Sequence, residues 1–354
     1  MDVIFVPDYS GGNPYQGELA GALERRGIAV NMAIPGVRNL PFIGALRDHG
    51  VPDVLHIHWI YPFLIGRYRT VTVLKGTRLL LELLVLKFLG VRVVWTVHNL
   101  EDHEGRTPTI ERYFRSIVAR LCDDLIVHCS TARDRLVERY DLPERYRDRI
   151  EVLRHGHYID SYPDEVSRQE ARKRLDIETE ATTFLYFGRI RAYKNLPGLI
   201  EAFGRLDGED VELYVVGRPG KEHLDSELAD LCQTDERVTY VPEFVPEDEI
   251  QLYMNAADAV VLPFSNVLSS GSAILAMSFG NPVLAPRIGC LEPLLAGQAE
   301  LTYEPDDEDA LVRALRSATT RDLESIGAGN RRRIEATRDW DDIAERTRTV
   351  YEMD

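Results

Sequence analysis

Two cations stand five residues apart in FGRIRAYKN (187–195), Arg189 and Lys194. A guanidinium holds two oxygens of one anion and an ammonium acts as a point charge, so the pair suits a phosphate or diphosphate. Arg191, between them, is expected to face solvent. A second stretch, SNVLSSGSAILAMSFGNPVLAP (265–286), reads as a turn, a helix and a strand with no acidic residue in the turn or helix. There Ser269 or Ser270 can cap the helix, Gly271 lets a ligand approach its free amides, and Ser272 adds a hydroxyl. In DYSGGNPYQGELAGAL (8–23), Gly11 and Gly12 form a turn before a helix. Its spacing is not the GxGxxG dinucleotide fingerprint. TVHNLEDHEGR (96–106) puts His98 at a strand exit, followed by Glu101, His103 and Glu104. Histidine is suited to accept a hydroxyl proton near neutral pH. A metal set of His98, His103 and Glu104 is the weaker reading, because no second ligand cluster supports it, and no metal is expected. His56 and His58 share one strand face, and His155 and His157 follow a later strand. For His56 and His58, core and cleft-lining roles are both open, and His155 and His157 are expected at the domain hinge, lining the cleft.

These residues need elements to hold them. Short β-branched runs alternate with helical segments: 3–6, 28–34, 53–59, 91–97, 124–129 and 150–156 in the first half, then 183–188, 211–217, 237–242, 259–263, 281–286 and 299–304. Near-continuous apolar strands separated by helices predict parallel sheets covered on both faces, and two such series predict two doubly wound α/β domains. The polar stretch 160–175 marks the boundary. The first domain is expected over 1–163 and the second over 164–335. A last helix near 330–351, carrying Trp340 and Tyr351, is expected to cross back to the first domain over about 336–354. Ligands of open α/β sheets bind beyond the carboxyl ends of the strands, where each of the motifs above falls.

The 354 residues carry a net charge of −16, which argues against nucleic acid as a partner. Five lysines against 37 arginines, with many acids, point to a high-salt host or a GC-rich genome. The four cysteines form no CxxC pair, so neither a disulfide framework nor a zinc site is expected. The opening MDVIFVPDYSGG has no basic lead and reads as a first strand. The most apolar stretch, 79–90, contains Glu82 and Lys87 and is too short to span a membrane, so the chain is expected to be cytoplasmic. The helix over 74–89 is expected in the core. The alternative, with Arg67, Arg69, Lys75 and Arg78 before it, is a peripheral contact with the inner membrane face.

Taken in order, the Gly-Gly loop, His98, FGRIRAYKN, VELYVVG, NAADAVVLPF and SFGNPVLAP resemble GT-B glycosyltransferases, most closely the nucleotide-sugar enzymes of family 4. The resemblance implies two Rossmann-like domains with parallel sheets facing a central cleft, the first for the acceptor and the second for the donor. It implies that Arg189 and Lys194 bind the donor diphosphate, that Gly12 approaches the same phosphates, that His98 lies near the transferred sugar, and that Glu243 falls in the base-binding segment. Much of that family carries two glutamates eight residues apart. The matching positions here are Val267 and Leu275, so donor contacts are expected from Ser269, Ser270, Gly271 and Ser272. The implied activity is transfer of a hexose, mannose among the candidates, from a GDP- or UDP-sugar to a glycan or lipid-linked glycan, with no other cofactor. If transfer inverts the anomeric centre, His98, Glu101 or Glu104 is the candidate base. A nucleotide-sugar 2-epimerase and a non-catalytic nucleotide-binding domain are the alternatives.

Overall fold

The computed structural model describes residues 1–33, 40–102, 105–177, 181–208, 210–307 and 309–353. Every predicted apolar run yields a strand. The first series gives β1 (Asp2–Val6), β2 (Ala29–Met32), β3 (Val54–Ile57), β4 (Arg92–Thr96), β5 (Asp124–Val127) and β6 (Ile150–Val152), and the second gives β7 (Thr182–Phe187), β8 (Val211–Val216), β9 (Val238–Val241), β10 (Ala259–Val261), β11 (Val283–Pro286) and β12 (Thr302–Tyr303). They form two parallel six-stranded sheets, ordered β2-β1-β3-β4-β5-β6 and β12-β11-β10-β7-β8-β9. Central strands are buried on both faces, as Val54–Ile57 and Asp124–Val127 are along their whole length. That is why they read as continuous apolar runs rather than alternating ones.

The chain divides into two compact units, Met1–Gly156 with Arg338–Asp354, and His157–Thr337. In the first sheet the strand order turns back between β1 and β3, and in the second between β7 and β10. At such switch points the connections leave in opposite directions and open a crevice at the carboxyl edge.

The terminal helical stretch is two helices, Leu323–Thr337 and Trp340–Glu352. Asp339 separates them, because its side chain caps the second by accepting from the amides of Asp341 and Asp342. The second helix packs in the first unit. Trp340 fills the space beside Gly156, where an added Cβ would lie 2.3 Å from the indole. Arg25 and Arg26 pair with Asp341.

One expectation is corrected. The helix Arg69–Phe88 is not a core helix on all sides. It buries Leu79, Leu83 and Leu86, and also Glu82, whose carboxylate accepts the Phe42 amide at 3.2 Å. Its other side leaves Leu74 70% and Phe88 90% exposed, with Val73, Leu81, Leu84 and Val85 between them. No carboxylate stands among the exposed positions of this helix. Among the described residues no helix is long and apolar enough to cross a membrane.

Candidate active site

In the second unit, both cation-bearing and serine-bearing motifs leave the sheet at the switch point, after β7 and β10. The chain passes β7 through Gly188, whose φ of +129° suits only glycine. A Cβ there would meet Ser272 Oγ at 3.3 Å and Lys194 Nζ at 3.8 Å. Lys194, Ser272 and the strand end therefore converge on one point. A 3₁₀ turn, Ala192–Lys194, carries the lysine. It is fastened to the segment after β10 by Ser265, whose amide and hydroxyl both donate to the Tyr193 carbonyl. The helix Gly271–Ser278 begins beside it, capped by Ser270, whose hydroxyl accepts from the Ala273 amide. The amides of its first residues remain available to an anion.

Lys194 is only 7% exposed. Its ammonium lies 4.7 Å from the centre of the Phe264 ring and within 6 Å of Tyr186 and Tyr193, at 5.7 and 5.9 Å. It has no ion pair among the described residues. Burial, with the Arg191 charge adding to it, lowers its pKa to about 8. Arg191 is thus half-buried and electrostatically coupled to the lysine, not simply turned to solvent as expected from the sequence. Arg189 is exposed beside Gly188, and Glu243 is exposed just after β9. Next to Glu243, Phe244 is 67% exposed, an aromatic face at the same sheet edge that sequence reasoning passed over. Ser269 is half-buried. Val267 and Leu275, at the positions of the family's glutamates, are both buried. A separate cavity of about 730 Å³ in this unit lies at the opposite edge, against Arg168, Asp258 and Asn281, away from these residues.

In the first unit, Gly11 and Gly12 sit in an exposed 3₁₀ turn, Ser10–Gly12. Nothing lies within 4 Å of where their Cβ atoms would be, so protein packing does not demand glycine there. Gln16 holds the loop, donating to the Pro7 carbonyl and accepting from the Tyr9 amide. Histidines follow four neighbouring strands: His58 after β3, His98 after β4, His128 after β5 and His155 after β6. All four are buried, together with His56. The Trp59 indole stacks on His98 at 4.4 Å, and Tyr15 meets His98 edge-on at 4.9 Å. His98 Nδ1 lies 3.3 Å from His128 Nε2. Burial, with the neighbouring histidines adding to it, keeps His98 well below the usual histidine pKa, and burial takes His128 down to about 4.

His56 is structural, since its two ring nitrogens meet Tyr351 Oη at 2.6 Å and Thr96 Oγ1 at 2.7 Å. Glu101 is ion-paired with Arg139. His103 and Glu104 lie outside the described residues, and with them most of the metal set considered above. His128, Tyr15 and Trp59 escaped sequence reasoning. The available signal was repetition, because a histidine follows four strand exits in this half of the chain.

Two doubly wound parallel units, one with a buried lysine beside a capped helix start and one with neutral histidines at its strand exits, define the GT-B class. Residues 181–321 match the family described as glycosyl transferases group 1, and residues 9–160 match glycosyltransferase family 4. The chain belongs to these glycosyltransferase families.

It is 29% identical over 239 residues to GDP-mannose:glycolipid 4-beta-D-mannosyltransferase of Xanthomonas campestris, covering 66% of this chain but only 61% of that relative's length. It is 26% identical over 348 residues to D-inositol 3-phosphate glycosyltransferase 1 of Catenulispora acidiphila, covering 90% of this chain and 76% of the relative. Its fold is that of sucrose-phosphate synthase from Thermosynechococcus elongatus, with a TM-score of 0.78 at 16% identity over 99% of this chain and 98% of the other. HepE of Anabaena, solved with UDP and glucose, aligns with a TM-score of 0.75 at 16% identity over all of both chains.

Proposed function

We propose that this protein transfers a hexosyl group from a nucleoside diphosphate sugar to the hydroxyl of a lipid-linked glycan, with GDP-mannose the first donor to test. The observation that carries the reading is Lys194, a buried cation with no carboxylate partner among the described residues, beside a capped helix start at a switch point. Burying an unpaired charge is costly, and the cost is removed when an anion arrives. The first unit supplies the acceptor side of the reaction. His98 Nε2 takes the proton of the acceptor hydroxyl, whose oxygen attacks the anomeric carbon. The bond from that carbon to the diphosphate oxygen breaks, and the electron pair leaves with the diphosphate. Lys194 and the amides at the start of the helix Gly271–Ser278 stabilise the charge that develops there, with Arg189 closing over the phosphates. This is inverting transfer, which requires a base. The β-linkage in the name of the Xanthomonas relative, and its GDP-mannose donor and glycolipid acceptor, support the choice of substrates. Val267 and Leu275 leave the sugar and ribose hydroxyls to the serines at 269–272. The exposed apolar side of the helix Arg69–Phe88, free of carboxylates, supports a membrane-borne acceptor.

Titration calorimetry with GDP, UDP, ADP and dTDP tests the donor site. One diphosphate should bind selectively, and Arg189→Ala should weaken it. Absence of binding by all four would end the donor reading. Incubation with GDP-mannose alone then separates transferase from epimerase, because an epimerase interconverts the sugar without any acceptor.

A further inference from the structure

The hydrogen bonds among the strand-end histidines determine which nitrogen of His98 carries its proton. His128 Nδ1 lies 2.9 Å from the Leu153 carbonyl oxygen. A carbonyl only accepts, so His128 Nδ1 must be the protonated nitrogen. That carbonyl is itself fixed, because the Leu153 amide donates to the Val127 carbonyl and continues the β5–β6 ladder. In a neutral imidazole the other nitrogen is then an acceptor. His128 Nε2 faces His98 Nδ1 at 3.3 Å, so His98 Nδ1 must be the donor. In that tautomer His98 Nε2 carries a lone pair and no proton.

We propose that His128 is a positioning residue, which fixes His98 in the Nδ1–H form so that Nε2 stands ready to accept a hydroxyl proton. The arrangement resembles an orienting group behind a catalytic base, but the orienter is a second neutral histidine anchored to the backbone and not a carboxylate. When Nε2 takes the acceptor proton, the new positive charge lies on the His98 ring and is shared through Nδ1–H with His128 Nε2. Among the described residues, no carboxylate is hydrogen-bonded to either ring. Around His98 stand Tyr15, His58 and Trp59, with His56 and His155 further off. Arg338 bears on His128 and His155. Burial, the largest influence on both rings, keeps them uncharged at rest, so His98 meets the acceptor as a neutral imidazole and not as a resident cation. The role in catalysis rests on the transferase reading, but the proton assignment does not.

The test has two arms. Long-range proton–nitrogen NMR of the histidine-¹⁵N-labelled full chain reads the tautomer directly. His98 should show a protonated Nδ1 and a bare Nε2 between pH 6 and 8. In His128→Phe that preference should be lost, and in His128→Gln, whose side-chain carbonyl can still accept from Nδ1–H, it should return. A wild-type His98 protonated at Nε2 overturns the proposal, whether or not any transfer is found. In the kinetic arm, His128→Phe should lower kcat by about tenfold or more, short of the roughly 10²–10⁴ that a general base supplies, with KM for the donor unchanged. His128→Gln should recover most of it. Equal loss in both variants, or loss through KM alone, would reduce His128 to a packing residue. Nucleoside diphosphate binding should be unaltered in every variant, so a failed donor site and a failed relay give different patterns.

Discussion

At the scale of single residues, Lys194 sets a conflict between stability and binding. Its pKa is near 8 when folded against an ordinary 10.5. Between those values the unfolded chain holds more protons, so stability rises with pH across that range, and below about pH 8 the full cost of the buried ammonium is present. Lys194→Met should therefore raise the melting temperature at pH 7, by an amount corresponding to roughly 1–3 kcal/mol, while abolishing diphosphate binding. The gain should vanish above about pH 10. Wild-type affinity for the diphosphate should weaken as pH rises through 8, because the ammonium is what binds. Calorimetry across pH 6–10 on both proteins checks each part, and a melting temperature lowered by the substitution would count against the charge argument. Lys194 drew attention in the sequence because it and Arg189 place two cations just past an apolar strand run, and the structure adds its burial. The coupling with Arg191 was not. Side-chain direction in a 3₁₀ turn depends on where the turn is anchored, and here Ser265 anchors it at Tyr193 from 72 positions further along.

At the scale of elements, the central strands were readable because burial on both faces leaves an unbroken apolar run, whereas β2 is nowhere fully buried. The helix Arg69–Phe88 shows the opposite case. Leucine and valine occupy both its buried and its exposed sides, so the amphipathic period that separates core from surface is erased. Sequence alone reads such a helix as core. The structure shows a two-sided apolar element, and contiguous exposed apolar surface of this kind marks an interaction site. Vesicles of anionic lipid should carry the protein upward in flotation. Leu81→Asp with Phe88→Asp should abolish co-flotation without lowering the melting temperature, since both positions are exposed. Unchanged flotation would remove the membrane contact from the proposed function. The histidine row was the least legible feature. Its members come from four strands and meet only because parallel pairing aligns their carboxyl ends, and its closing partners, Trp340 and Tyr351, come from the far end of the chain.

At the scale of the whole molecule, the two units should respond differently to acid. His56 and His155 are held down to about 3 and His128 to about 4 by burial, and all lie in the first unit. Each has a folded pKa below its unfolded value near 6.5. The unfolded chain therefore takes up more protons, and stability is lost as pH falls from about 6.5, by up to about 1.4 kcal/mol per pH unit for each ring. The three tryptophans, Trp59, Trp95 and Trp340, all belong to this unit. Their fluorescence should report a thermal transition whose midpoint drops steeply between pH 6.5 and 4. The melting shift caused by a nucleoside diphosphate, which the proposed function assigns to the second unit, should follow a separate course. A tryptophan transition flat across that range would mean that the rings are charged in the folded state.

The unit that holds the histidines is also the one whose sequence is interrupted. Its first 156 residues leave the ribosome well before the helix Trp340–Glu352 has been made, whereas the second unit is a single uninterrupted stretch. During synthesis, the space beside Gly156 has no indole and His56 has no Tyr351 hydroxyl until the helix Trp340–Glu352 has emerged. The unit that holds Lys194 can thus be finished before the unit that holds the histidines, and on the proposed reading a nascent chain would acquire its donor site before it could act on an acceptor.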